Sequence, residues 1–249
     1  MRQFGLIGNP LSHSFSKQYF SAKFSKEGIP DAAYELYPLN DITELLPLIE
    51  NNQQLIGLNV TIPYKEAVIP FLDELDSSAA EIQAVNTIVI ERRTNMKPRL
   101  IGYNTDIIGF QESLKPFLAI QHDRALIFGT GGSSKAVAYV LKKLHIPFHF
   151  VSRTPSSEKE ITYTDLDTKG INIHPLLINC TPMGMSPNLD SMVPISIDGI
   201  GSNHLVYDLV YNPEESRLLR EAKQRGALTL NGLSMLRLQA EAAWKIWNA

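Results

Sequence analysis

The sequence predicts an α/β protein of two units, the second of them Rossmann-like. Three observations predict it. Strand and helix patterns alternate from the first residues. A continuous apolar run at 125–128 enters the glycine-rich turn GTGGSSKA at 129–136. Further apolar runs follow at 148–151, 176–179 and 205–210, the mark of strands buried on both faces. At 249 residues the chain is long enough for one large or two smaller domains.

Taken in order, residues 3–7 read as a strand closed by Gly8-Asn9-Pro10. A helix is expected over 16–27, with Phe20 and Phe24 on one face and Gly28 as its stop. Strands are expected at 35–38 and 57–62, separated by an apolar helix over 42–51. Pro63 ends the second of these strands and can open a helix at its first turn. Residues 84–90 and 99–103 read as two more strands. The next helix starts at Asp106 and puts Phe110, Leu114 and Phe117 on one side. After the glycine turn a helix continues to Leu144. A later one, over 214–225, ends at Gly226. Leu233, Leu236, Ala240, Trp244 and Trp247 form the apolar stripe of the last helix. The expected division is a unit of residues 1–105 completed by 231–249, and a Rossmann-like unit of residues 106–230.

Composition narrows the function classes. Hydrophobic residues at 44% and charged residues at 20% describe a globular protein with a sizeable core. The 23 basic and 26 acidic residues leave a net charge of −3 with no basic block, so nucleic acid is not an expected partner. Cys180 is the single cysteine, which excludes an internal disulfide. The six histidines form no HExxH, and no metal site is expected. No apolar run approaches the ~18 residues that span a bilayer, and the N-terminus carries no signal pattern. The expectation is a cytoplasmic enzyme without a membrane partner, monomeric or homodimeric.

The glycine turn is the clearest chemical signal. Gly129, Gly131 and Gly132 stand between a buried strand and a helix, with Thr130 and Ser133 among them. Such a turn lets backbone N–H groups approach a pyrophosphate at the positive helix end. A purely structural turn is the alternative. A third fingerprint glycine is absent. At the end of the next strand the chain reads VSRT, 151–154, with no acidic residue. Ser152, Arg153 and Thr154 offer a guanidinium and two hydroxyls, suited to a ribose 2′-phosphate. The expected cofactor is therefore NADP rather than NAD. Lys135, in the first helical turn, opposes the dipole; a nearby phosphate or plain solvation would explain it.

In the first unit Lys65 follows Pro63 in NVTIPYK and shows the same mismatch at a predicted helix start. Alternation in AVNTIVI puts Asn86 on the apolar face of Ile88 and Ile90, where an amide needs partners, either a ligand or backbone. Asp106 stands at a strand-to-helix junction in GYNTD, as a functional carboxylate or, with Asn104 or Thr105, as a helix cap. SHSFS, 12–16, gives three hydroxyls, one expected to cap the following helix and the others free to bind an anion.

Nine segments in order resemble those of the shikimate dehydrogenase family: GNPLSHSFS, NVTIPYK, AVNT, GYNTD, GTGGSS, SRT, NCTPMGM, YDLVYNP and NGLSMLRLQA. They span residues 8–240. The resemblance implies NADPH-dependent reduction of 3-dehydroshikimate to shikimate, in a substrate domain and a Rossmann-like NADP domain facing across a cleft. It implies that Ser14 and Ser16 bind the substrate carboxylate, and that Thr61, Lys65, Asn86 and Asp106 surround the ring hydroxyls. Gln239 would reach in from the last helix and Tyr211 would line the site. Met183 and Gly184 would lie near the nicotinamide. Lys65 and Asp106 would be the catalytic pair. Three departures stand out. Ser152 replaces the family's usual asparagine, residues 155–175 are short and polar, and little follows the last helix. A quinate/shikimate dehydrogenase using NAD and a non-catalytic NADP-binding regulator are the alternatives. A folate-linked dehydrogenase is disfavoured, since the hydroxyl-binding series would then lack a purpose.

Overall fold

A computed structural model describes residues 1–11, 14–94, 96–155 and 160–249. The chain divides into two compact units: Met1–Thr105 with Gln239–Ala249, and Asp106–Leu238.

The first unit contains β1 (Arg2–Gly8), α1 (Phe15–Glu27), β2 (Ala32–Pro38), α2 (Leu45–Asn51), β3 (Leu55–Val60), α3 (Tyr64–Ala67), β4 (Glu74–Leu75), α4 (Ser77–Ile82), β5 (Thr87–Glu91) and β6 (Arg99–Tyr103). Its sheet runs in the order β2-β1-β3-β5-β6-β4. β1 lies parallel to β2 and β3, whereas β5 is antiparallel to β3 and β6. Alternation along β1 feeds two cores. Phe4 and Leu6 pack with Phe20, Phe24 and Tyr34, while Ile7 packs with Leu45, Ile49 and Leu58 on the other face. Gly28 ends α1 in the left-handed region at φ 64°, as glycine allows. A one-turn 3₁₀ segment (Ile42–Glu44) leads into α2, opened by an Asp41–Glu44 capping box.

The second unit contains α5 (Asp106–Leu114), β7 (Ala125–Phe128), α6 (Gly132–Lys143), β8 (Phe148–Ser152), β9 (Glu160–Thr162), α7 (Thr168–Asn172), β10 (Leu176–Asn179), β11 (Leu205–Asp208), α8 (Arg217–Gln224), β12 (Leu228–Asn231) and the start of α9 (Leu233–Trp247). The sheet order is β12-β11-β10-β7-β8-β9, and all five neighbouring pairs run parallel. β7, β10 and β11 are buried along their whole length, as their apolar runs require. The chain order reverses at β7, between β8 and β10. Ligands of open parallel sheets bind outside the carboxyl ends of the strands at such a switch.

From Gln239 onward α9 belongs to the first unit. There Ala240, Ala243 and Trp247 close the Phe4–Phe20–Phe24 cluster. The Trp247 indole donates to Ile88 O at 3.0 Å, and a Cβ on Gly57 would stand 2.4 Å from its ring nitrogen. Gly57 is thus the space that the tryptophan fills.

Several expectations need correction. The return to the first unit falls inside α9, not at residue 231, because residues 228–231 form β12 against β11. Phe117 is exposed: a 3₁₀ turn at Lys115–Phe117, carrying Pro116, follows α5 and turns the ring off its buried face. β8 is buried only at its end, since Phe148 and Phe150 are half-covered and His149 is exposed. On α9 the buried positions are Met235, Gln239, Ala240, Ala242, Ala243 and Trp247, while Leu233, Leu236 and Trp244 are only partly covered. α3 is a single turn, so Lys65 lies in its last turn as much as its first. The expected opposition between Lys65 and a helix dipole therefore carries no weight.

Candidate active site

In the first unit the strand directions bring distant segments to one edge of the sheet. The parallel strands β1 and β3 end there, the antiparallel β5 begins there, and β6 ends there. The connecting backbone bonds are short: Thr61 N to Ile7 O at 3.0 Å, Val60 N to Asn86 O at 2.9 Å, Asn86 N to Tyr103 O at 3.0 Å and Val85 N to Lys65 O at 2.7 Å. Thr61, Lys65, Asn86 and Asn104 are thereby fixed beside one another.

Asn86, 3% exposed, is engaged through both ends of its side-chain amide. Its Oδ1 accepts from Thr105 N at 2.7 Å, with the Thr105 and Thr87 hydroxyls at 3.1 and 3.2 Å. Its Nδ2 points to Gln239 Oε1 at 3.5 Å. The expected β5 face position is not what buries it: β5 starts at Thr87, and Asn86 is the residue before. Behind it Tyr34 donates to Asn59 Oδ1 at 2.8 Å. The Asn59 amide donates to Asn86 O and the Thr87 hydroxyl, each at 3.2 Å. Complete burial pushes the Tyr34 phenol far up, with the Ser16 hydroxyl pulling back. It stays a donor. Tyr34, Asn59 and Thr87 are not marked by the sequence, and Thr105 figures there only as an alternative helix cap. The one available signal was an amide, Asn59, between Leu58 and Val60 in a buried strand.

Ser14 holds the N-cap position of α1 in extended conformation, yet its side chain makes no cap bond, and its Oγ is buried without a partner. The expected hydroxyl cap is not made by Ser14, and Ser12 and His13 lie outside the described residues. An orphaned hydroxyl in a buried position calls for a ligand. Asn104 Oδ1 is a second such atom, although its amide donates to Ala84 O at 2.9 Å.

The first unit thus holds Ser14, Ser16, Thr61, Lys65, Asn86 and Gln239. Asp106, 5% exposed, opens the second unit as the first residue of α5, and Tyr211 follows β11 there. Neither Asn104 nor Thr105 turns its side chain to cap α5 in the bonds above; both are spent on the first unit.

In the second unit a cavity of about 450 Å³ opens at the carboxyl ends of β7, β8 and β10. It is lined by Gly129 and Thr130, by Ser152, Arg153 and Thr154, by Tyr163, and by the segment 181–183. Gly129 has φ 99°, a conformation strained for any residue with a Cβ. Gly131 faces open space and caps α6 without any side-chain bond. The Ser134 hydroxyl is buried without a partner. An uncapped helix start, an orphaned hydroxyl and an arginine at the rim fit a dinucleotide phosphate group. Ser152 is turned inward, its Oγ accepting from Thr154 N at 3.2 Å, so it shapes the turn rather than reaching outward. Gly131, Gly132, Ser133 and Gly184 do not line this cavity; Met183 does.

A buried polar chain supports the 181–184 segment. Asp208, fully buried at the end of β11, accepts from Asn179 Nδ2 at 2.9 Å, Val210 N at 3.0 Å and Ser216 Oγ at 2.5 Å. Asn179 Oδ1 in turn accepts from Thr181 N at 3.0 Å and from its hydroxyl at 2.7 Å. Burial pushes Asp208 up to about 6 despite these donors. Among the described residues no group of three His, Cys, Asp or Glu side chains is placed to hold a metal ion. No helix among them is long and apolar enough to cross a membrane.

Residues 6–88 match the model of the shikimate dehydrogenase substrate-binding domain. A shikimate dehydrogenase (NADP(+)) of Pyrococcus abyssi is 39% identical over 256 residues, covering 99% of this chain and 92% of the relative. The chain belongs to the shikimate dehydrogenase family. Among solved structures, the shikimate 5-dehydrogenase of Thermus thermophilus in complex with NADP(H) and shikimate superposes with a TM-score of 0.85 at 30% identity, over 99% of this chain and 93% of that one. A quinate dehydrogenase of Corynebacterium glutamicum in complex with NAD gives 0.82 at 28%, over 99% and 93%. The similarity extends over nearly the whole chain, and so over both of its units.

Proposed function

We propose that this protein reduces 3-dehydroshikimate to shikimate with NADPH, reversibly. The observation that carries the reading is the sheet edge of the first unit. An amide, a threonine and a lysine are fixed together there, and the same unit carries the unpartnered Ser14 hydroxyl at the start of α1, in a chain that matches NADP-dependent shikimate dehydrogenases over nearly its whole length.

The residues suit a small polyhydroxylated acid. Ser14 and Ser16 take the carboxylate. Thr61, Asn86 and Gln239 bond the ring hydroxyls, which they can do because the Asn59–Thr87–Thr105 network holds Asn86 in place. In the second unit the glycine turn and the α6 N-terminus take the pyrophosphate, Arg153 and Thr154 the 2′-phosphate, and Met183 and Gly184 the nicotinamide side. NADPH, when bound, supplies the hydride. Addition of hydride to a ketone leaves an alkoxide that needs a proton at the same moment. The Lys65 ammonium gives that proton and stabilises the growing negative charge. Asp106 holds the ammonium in line, and Tyr211 packs against the substrate. The protein works in the cytoplasm without a membrane or nucleic-acid partner, as a monomer or homodimer.

The test is a four-way rate comparison: shikimate and quinate, each with NADP⁺ and NAD⁺. Shikimate with NADP⁺ is expected to be fastest. A higher kcat/KM for quinate with NAD⁺ would place the chain with the quinate dehydrogenases, and no rate with any pair would make it a binding protein.

A further inference from the structure

Tyr163 lines the nucleotide cavity beside Arg153 and has no role in the account so far. It follows the edge strand β9, and its ring stacks on Phe128, the last residue before the glycine turn, with centroids 6.2 Å apart and planes 18° from parallel. It packs on the hydrophobic core of the second unit. The hydroxyl therefore rides on a rigid ring, and little side-chain entropy is lost when it binds. We propose that the Tyr163 hydroxyl is a further donor, beside Arg153 and Thr154, to the 2′-phosphate of NADP, and so a determinant of selectivity over NAD.

The chemistry of the two groups supports this. A guanidinium has five donors and no acceptor, so it cannot consume the phenol proton. Burial pushes the phenol up to about 12, with Arg153 close enough to pull it back, so the proton is in place at neutral pH. Both groups thus present donors to the same space. Among the described residues no carboxylate lines the cavity to oppose an anion. Ser152 Oγ accepts from Thr154 N, a bond that turns this hydroxyl toward the backbone of its own loop. A phosphate monoester held by charge-assisted bonds is the ligand group that such a pair recognises.

The proposal rests on the NADP reading of this site, and calorimetric binding separates the two. NADP⁺ and NAD⁺ are titrated into wild type, Tyr163→Phe and Arg153→Ala. Phenylalanine keeps the stack on Phe128 and removes only the donor. Tyr163→Phe is expected to weaken NADP⁺ about tenfold, ~1.4 kcal/mol, and to leave NAD⁺ within about twofold. Adenosine 2′,5′-bisphosphate against ADP should repeat the contrast, which a loss of packing would not produce. Equal weakening of both cofactors, or no weakening, overturns the proposal while the wild-type preference for NADP⁺ keeps the cofactor reading. A wild type without that preference overturns both.

Discussion

Asp208→Asn gives a stability change whose size and pH course follow from the structure. Asp208 is fully buried, and its folded pKa is raised from 3.8 to about 6 because burial outweighs the bonds from Ser216, Val210 and Asn179. The folded protein therefore holds this proton more tightly than the unfolded chain. The stability contributed by the neutral carboxyl is fully present below the unfolded value near pH 4, and is lost as pH rises through about 6. A shift of about two units at ~1.4 kcal/mol each amounts to roughly 3 kcal/mol. Asparagine has no proton to lose, so the variant lacks this dependence. The unfolding free energy of wild type minus that of Asp208→Asn should fall by ~3 kcal/mol between about pH 4 and pH 7. His122 and His174 are lowered chiefly by burial, so they reduce the stability of both proteins as pH falls below the unfolded histidine value, and they cancel in the difference. Urea unfolding should be followed by far-ultraviolet circular dichroism. Both tryptophans, 244 and 247, lie in the first unit and report on it alone. A difference that stays constant across this pH range would mean that folding does not raise the Asp208 pKa.

Two further outcomes follow from the first unit. Ser14→Ala removes a hydroxyl that has no partner. It should leave the melting temperature within a degree or two while raising KM for shikimate about tenfold or more, as expected for loss of a hydrogen bond to a carboxylate; an unchanged KM would remove Ser14 from the site. Gly57→Ala puts a methyl group into the Trp247 ring. Overpacking of this kind costs ~1–3 kcal/mol, so the tryptophan-monitored melt should shift down by several degrees, and an unshifted melt would contradict the packing described.

The parts of the fold legible in the sequence are those where one local rule dominates. The run 125–128 reads as a buried strand because all four of its residues are apolar, and it is buried throughout. Gly28 and Gly129 read as special backbone positions and have positive φ. β9 and β12 were not legible: as short edge strands they carry sequences such as EIT and LTLN, whose partial burial leaves no pattern. Phe117 obeyed helical spacing until the chain tightened around Pro116. In the candidate site, motifs located Lys65, Asn86 and Gln239. The supporting network of Tyr34, Asn59 and Thr105 depends on strand register, which no local window contains. Tyr163 is illegible in the sequence for the same reason. Its nearness to Arg153 comes from the parallel pairing of β8 with β9.

In the proposed reaction Lys65 delivers a proton as hydride reaches the ketone. The most direct measurement is turnover of 3-dehydroshikimate and NADPH by Lys65→Met, with NADPH binding measured on the same sample. Cofactor affinity is expected within about twofold of wild type, with a fall in kcat of at least ~10²-fold, the lower range for loss of an acid catalyst. Near-wild-type turnover by the methionine variant would contradict that role.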